Sequence, residues 1–282
     1  MNILTFDIED WFHIYFEKGF NVDSVLDKYE SRIRGNMEMI HEVLDAKNQK
    51  ATFFCLGWVA RKYPDVIRQI VDKGHEIGTH SDNHNLAFLQ NREEFSQDFE
   101  SSIKSLEDVS GTKVKYYRAP AFSIKDENKW VFEDMIRQGI EIDCSIFPAK
   151  GDFGGFENFR SGEPCIVEYQ GMTIKELPMN IEKILGQPVI FSGGGYFRLF
   201  PYWLINYLIK RSNYTMTYFH PRDFDAQQPM LPQLSTLRKF KSYYGLKGAY
   251  AKFKRMMDDF DFYDVREASE KVDWSQVEVV KI

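Results

Sequence analysis

One pattern recurs along the first half of the chain and restricts its fold. A short apolar run of strand length ends in charged or polar residues, and a helical stripe leads to the next run. Asn2 to Phe6 ends in Asp7, Glu9 and Asp10, and the stripe Ile33, Met37, Ile40, Leu44 follows within Val22 to Lys47. Ala51 to Leu56 is a second run, followed by a helix over Trp58 to Lys73 that Gly74 stops. His75 to Ile77 leads into the stretch HEIGTHSDNHN, which ends at Asn85. A helix over Glu93 to Val109 comes next. Val114 to Tyr117 then ends in Arg118, a helix covers Trp130 to Gln138, and Ile140 to Asp143 closes the series. Strands and helices alternating in this way predict parallel β/α units. Polar groups placed repeatedly after strands predict a site at the carboxyl edge of a barrel-like sheet.

The second half is less regular. Residues 150 to 164 read as an irregular loop, and Ile166 to Tyr169 and Met172 to Leu177 as paired strands. The run Phe191 to Arg198 has three consecutive glycines but lacks the Lys-Ser/Thr of a phosphate loop, so a tight loop beside a ligand is expected. Pro201 to Lys210 reads as a helix, and Thr215 to Phe219 as a strand that ends in His220. Amphipathic helices over Leu231 to Tyr244 and Ala249 to Met257 precede a short tail. With no repeat and no linker, one domain over residues 1 to 282 is expected, with its core at about 1 to 225 and a helical extension at about 226 to 282.

Charge and composition limit the partners. A net charge of −6 argues against a nucleic-acid or anionic-membrane partner. No apolar run has the length of a membrane span, and the N-terminus begins a strand without a secretory leader. The three cysteines form no paired motif and suit a reducing compartment. A cytoplasmic location follows as the expectation. The aromatic helix around Tyr202 to Leu208 is a candidate contact for a partner or lipid carrier, so peripheral membrane association stays open, as does the oligomeric state.

The strand-end residues can be gathered into one chemistry. His80 and His84 are four apart, a spacing that puts two imidazoles on one side of a helical turn. Two histidines and one carboxylate make an open divalent-metal site. Such a site acidifies water for attack on a carbonyl carbon. A second carboxylate can act as base, a separate histidine as acid, and an arginine can orient the base. Asp7, Glu9, Asp10, Arg118, Asp143 and His220 are the candidates, and hydrolysis of an amide or ester is the reaction such a set suits.

The stretches Thr5–His13, Ala51–Ala60, His75–His84, Tyr117–Ile124, Asp143–Pro148, Gly193–Arg198 and Tyr218–Asp225 together resemble the polysaccharide deacetylases. These are the NodB-homology group of carbohydrate esterases, and the similarity is greatest to the branch associated with exosortase and exopolysaccharide clusters. The resemblance implies a distorted (β/α)7 barrel. It implies Asp7 as general base held by Arg118, His220 as general acid, and His80 and His84 as ligands of a divalent metal, usually zinc. Asp10 is the preferred third ligand, with Glu9 the alternative. Asp143 and Glu176 are candidates to support His220, while Pro120, Tyr196 and Arg198 are expected at the substrate. His75 is read as a hydrogen-bonded core histidine. The implied function is removal of an N-acetyl group from an N-acetylated amino sugar in a surface polysaccharide or its precursor. Hydrolysis of an imide, ureide or formamide, or a saccharide-binding module without activity, are the competing readings.

Overall fold

The computed structural model describes residues 1–14, 29–149, 154–159, 161–184 and 186–282. The expected features at 22–28, 150–153 and 160 lie outside them. Twelve strands are described: β1 Asn2–Ile3, β2 Thr5–Ile8, β3 Thr52–Cys55, β4 Glu76–Thr79, β5 Tyr116–Tyr117, β6 Ile142–Asp143, β7 Cys165–Tyr169, β8 Met172–Glu176, β9 Glu182–Ile184, β10 Gln187–Val189, β11 Thr215–Met216 and β12 Val279–Lys281. The described helices are α1 Ile33–Ala46, α2 Gly57–Lys62, α3 Pro64–Asp72, α4 Arg92–Ser110, α5 Val131–Arg137, α6 Gly194–Leu199, α7 Tyr202–Arg211, α8 Thr236–Tyr243, α9 Leu246–Asp259 and α10 Val265–Lys271.

The main sheet runs β12-β7-β8-β6-β5-β4-β3-β2. Its pairs are parallel from β2 to β8, and only the β7–β8 hairpin is antiparallel. The fold is thus the α/β arrangement the alternation demanded, and the sheet curls toward the expected barrel. The far side of β2 is bordered by the segment after β11: Asp7 N donates to Phe219 O at 2.7 Å and Phe219 N to Thr5 O at 3.2 Å. β11 and the residue before it reach toward the end of β8 through side chains, Asn180 Oδ1 accepting from Met216 N at 3.0 Å and Tyr214 OH donating to Pro178 O at 2.7 Å.

Apolar burial explains the layers. Phe6, Phe53, Ile77 and Tyr117 are buried on the strands, with Met37, Ile40, Ile67, Ile70, Phe99 and Leu106 packed from the helices. Three elements and one side chain differ from expectation. The helix over Trp58 to Lys73 is two, because Pro64 has no N–H to continue α2 and instead opens α3. The glycine run is not a loop: Gly193 caps α6 and Gly194 begins it. Gly193 and Gly194 lie against Tyr218, where an added Cβ would collide with its backbone or ring. The tail after α10 forms β12, which pairs with β7 in the main sheet. His75 is buried as expected, but neither ring nitrogen has a hydrogen-bond partner among the described residues, and it stacks on His41 instead.

Candidate active site

Sheet register brings the chemistry together. Ile8, Cys55, Thr79, Tyr117, Asp143 and Glu176 are successive ladder partners. One residue further on, Glu9, His80 and Arg118 therefore share one level at the carboxyl edge, with Asp7 one pleat below Glu9 on the same face.

His80 follows β4 and is buried. Its Nδ1 lies 2.7 Å from Arg118 O, and a carbonyl can only accept, so the proton is on Nδ1 and the lone pair is on Nε2. Burial holds its pKa down at about 4, which keeps the ring neutral. His84 sits at φ 62° and Ser81 at φ 73°, a left-handed backbone that costs a side-chain residue energy and recurs at functional loops. The loop is clamped from outside. Asp98 on α4 accepts from Asp82 N at 2.8 Å and from Asn85 Nδ2 at 2.9 Å, while Arg61 on α2 forks onto Asp82 at 2.5 and 2.8 Å.

Glu9, not Asp10, completes this group. Donor atoms of Glu9, His80 and His84 all lie within 4.8 Å of one another, and the Glu9 carboxylate is 2.8 Å from His84 Nε2. Burial works against the Glu9 charge, but the facing His84, with His220 and His13 nearby, holds its carboxyl well below the usual range. Asp10 points the other way. It accepts from Trp11 N at 2.8 Å, from Arg32 N at 3.3 Å and from Ser31 Oγ, tying the β2 exit to the start of α1. Burial raises its pKa. The reason is the alternation of extended chain: Asp7 and Glu9 share a face and Asp10 takes the opposite one. Two imidazoles and a carboxylate, all buried, fit a divalent cation with open coordination positions.

Asp7 is bound by Arg118 as expected. Arg118 Nη1 donates to Asp7 Oδ1 at 2.9 Å and to Thr5 Oγ1 at 2.7 Å, and Nε donates to Cys144 O at 3.2 Å. Its guanidinium lies 4.3 Å from the Phe54 ring centroid. His220 Nε2 is 3.9 Å from both Asp7 Oδ2 and Glu9 Oε1.

Asp223, which sequence reasoning missed, supports His220. Its Oδ2 lies 3.0 Å from His220 Nδ1 and accepts from His220 N at the same distance. Burial would lower the His220 pKa; Asp223, with Glu9 and Asp7, reverses this and lifts it to about 9. Burial would raise Asp223, but Arg198 at 3.3 Å and His220 bring it down to about 2. Asp143 and Glu176 do not reach His220. They form a buried pair at the ends of β6 and β8, where Ser145 Oγ donates to Asp143 Oδ1 at 2.5 Å and Ile146 N to Glu176 Oε1 at 3.2 Å. Burial raises both carboxyls, Asp143 to about 6.

The groups open into a cavity of about 770 Å³ lined by Asp7, Glu9, His80, His84 and His220 at its base. Tyr196 lines it and is 40% exposed. Arg198 also borders it, but its guanidinium is spent on Lys241 O at 2.9 Å, Ser242 O at 2.5 Å and Asp223. That makes it a structural tie rather than a substrate contact. Pro120 is buried, and its neighbours Ala121 and Phe122 face the cavity instead.

Residues 4–139 match the family described as polysaccharide deacetylase, and residues 144–270 match a domain of unknown function (DUF3473). A peptidoglycan-N-acetylglucosamine deacetylase of Bacillus cereus is 34% identical over 103 residues, 35% of this chain and 37% of the relative. A chitooligosaccharide deacetylase of Azorhizobium caulinodans is 39% identical over 82 residues, 28% of this chain and 38% of the relative. The chain thus spans less than two-fifths of the length of these curated relatives. A crystal structure from Mycobacterium smegmatis, ascribed to a polysaccharide deacetylase, superposes with a TM-score of 0.67 at 18% identity, covering 98% of this chain and 90% of that one. Residues 4–139, just under half of the chain, thus belong to the polysaccharide deacetylase family, and the fold is shared with that crystal structure along nearly the whole length.

Proposed function

We propose that the protein is a metal-dependent hydrolase that removes the N-acetyl group from an N-acetylated amino sugar in a surface polysaccharide or its precursor. The observation that carries this reading is the convergence of Glu9, His80 and His84 with the Asp7–Arg118 and His220–Asp223 pairs at the base of one cavity. The relatives named above, deacetylases of peptidoglycan N-acetylglucosamine and of chitooligosaccharide, support it.

Each group has one task. Glu9, His80 and His84 would hold the cation, most simply zinc given the His₂-carboxylate donor set. A divalent cation bound there supplies Lewis acidity to an acetyl carbonyl and to a water. Asp7 takes the proton of the attacking water, with Arg118 fixing the carboxylate in place. Asp223 holds His220 by Nδ1, so that the Nε2 proton faces the reaction volume. As the carbon–nitrogen bond breaks, that proton passes to the departing nitrogen, leaving an amine and acetate.

Metal content and acetate release test the proposal together. Purified protein should carry about one equivalent of a divalent metal and release acetate from at least one member of a panel of N-acetylated amino sugars. His80→Ala and His84→Ala should each lose both properties. Undiminished acetate release in either variant would sink the reading.

A further inference from the structure

The net charge of −6 conceals a sharp local reversal. Residues 226–257 hold seven basic side chains and no acidic one, while the other 250 residues carry 29 basic and 42 acidic. Helix α8 lies inside this basic segment and buries none of its side chains. Its amphipathicity is inverted: Arg238 and Lys239 are half-buried, whereas Leu237 is 64% exposed and Phe240 51%. A surface helix ordinarily turns its apolar stripe to the body of the protein. Tyr244, just past the helix end and with its ring centroid 4.9 Å from that of Phe240, continues the outward stripe.

The stripe borders the catalytic cavity. Leu237, Phe240 and Tyr244 line its mouth from one side, and Tyr196 and Leu199 of α6 from the other. Arg198 joins the two sides through its hydrogen bonds to Lys241 O and Ser242 O, so the apolar rim is held in place. Large exposed apolar side chains beside an acid-free basic segment are the chemistry of a surface that meets anionic headgroups. Aromatic and aliphatic groups enter the headgroup boundary while lysine and arginine stay among the phosphates.

We propose that this face seats the protein on an anionic lipid bilayer, with Leu237, Phe240, Tyr244 and Leu199 entering the interface and the cavity opening onto the membrane surface. The seating stands apart from the deacetylase reading. Its consequence, that the saccharide acted upon is presented from a lipid at that surface, rests on it. No described helix is long and apolar enough to cross a membrane, so the contact is peripheral.

Co-sedimentation of the full-length protein with vesicles tests the seating without any substrate. Wild type should bind phosphatidylcholine vesicles containing phosphatidylglycerol, bind phosphatidylcholine alone far more weakly, and dissociate as salt is raised. Leu237→Ser/Phe240→Ser should weaken binding about tenfold or more, and Lys241→Ala about fivefold. Thermal melts check that the variants fold, and Lys241→Ala with the salt series decides the matter if the double variant does not. Wild type remaining in the supernatant at low salt, equal binding to neutral vesicles, or full binding by folded Leu237→Ser/Phe240→Ser would overturn the proposal. So would a solution dimer that this double variant converts to monomer, since a second copy would then be what covers the rim. Acetate release from a soluble substrate is assayed separately, so a failure of seating and a failure of the deacetylase reading are told apart.

Discussion

The sharpest distinction in the site lies between two adjacent carboxylates. Glu9 faces His84 across 2.8 Å, and Asp10 accepts backbone and hydroxyl hydrogens at the start of α1. Glu9→Gln should therefore cost at least about a hundredfold in metal affinity, since it removes the one anionic donor of the group. Asp10→Asn should keep metal affinity near wild type and lower stability by about 1–3 kcal/mol through its weakened anchors. Metal titration alongside urea unfolding checks the pair, and loss of metal from Asp10→Asn with retention by Glu9→Gln would reverse the assignment. The motif Asp-x-Glu-Asp names both acids, but only strand alternation separates them: residues 7 and 9 share a face. Applied strictly, that alternation selects Glu9 from the sequence alone. Asp223 was legible too, as the residue three after His220 that returns its carboxylate to the imidazole. By contrast, the commitment of Arg198 to Lys241 O and Ser242 O arises from contacts more than forty residues away, which no local pattern reveals.

Elements were legible where apolar periodicity was strong and unclear where tertiary contact sets the conformation. The stripes of α1 and α4 mark helices, and the runs at 51–56 and 114–117 contain strands β3 and β5. The glycines at 193 and 194 resemble a loop in sequence because what they accommodate, Tyr218, lies far along the chain. The packing of α1 against the β4 entry has its own consequence. His41 on α1 and His75 before β4 stack at 5.6 Å, buried, with no hydrogen-bond partner for any ring nitrogen among the described residues. Burial, joined by the charge of Lys73 at His41 and by those of His41, Lys50 and Lys73 at His75, puts their pKa values at about 4 and about 3. An unfolded histidine titrates near 6.5, so the unfolded chain takes up protons first as pH falls. The stability these neutral rings contribute is complete above about pH 6.5 and is lost as pH drops toward 4, by about 1.4 kcal/mol per pH unit for each proton. Urea unfolding at pH 7 and pH 5 should show this loss in wild type and a clearly smaller one in His41→Leu/His75→Leu. Equal losses would place the acid sensitivity elsewhere.

At the scale of the whole molecule, two family matches meet near residue 140, yet the site and the backbone ladders ignore that boundary. Asp7, Glu9, His80, His84 and Arg118 come from the first segment, whereas His220 and Asp223 come from the second. The first strands are enclosed by the second segment: Thr217 N donates to Ile3 O and Tyr263 N to Asn2 O, both at 2.9 Å, and Asp7 N to Phe219 O at 2.7 Å. Removing residues 143–282 would leave those carbonyls and amides, and the apolar faces of Ile3 and Phe6, without their partners. Buried backbone groups left unpaired in this way cost more than a two-residue strand can recover. The C-terminal segment is equally bound in, because Ile166 N donates to Glu278 O at 2.9 Å and β12 extends the sheet beyond β7. The chain should therefore unfold as one unit: calorimetry of the intact protein should give a single transition whose calorimetric and van't Hoff enthalpies agree. A fragment of residues 1–142 expressed alone should lack a cooperative melt. Two resolved transitions, or a fragment that melts cooperatively with its own sigmoid, would instead divide the molecule into two independently stable parts and make the cavity between Asp7 and His220 a junction rather than the interior of one fold.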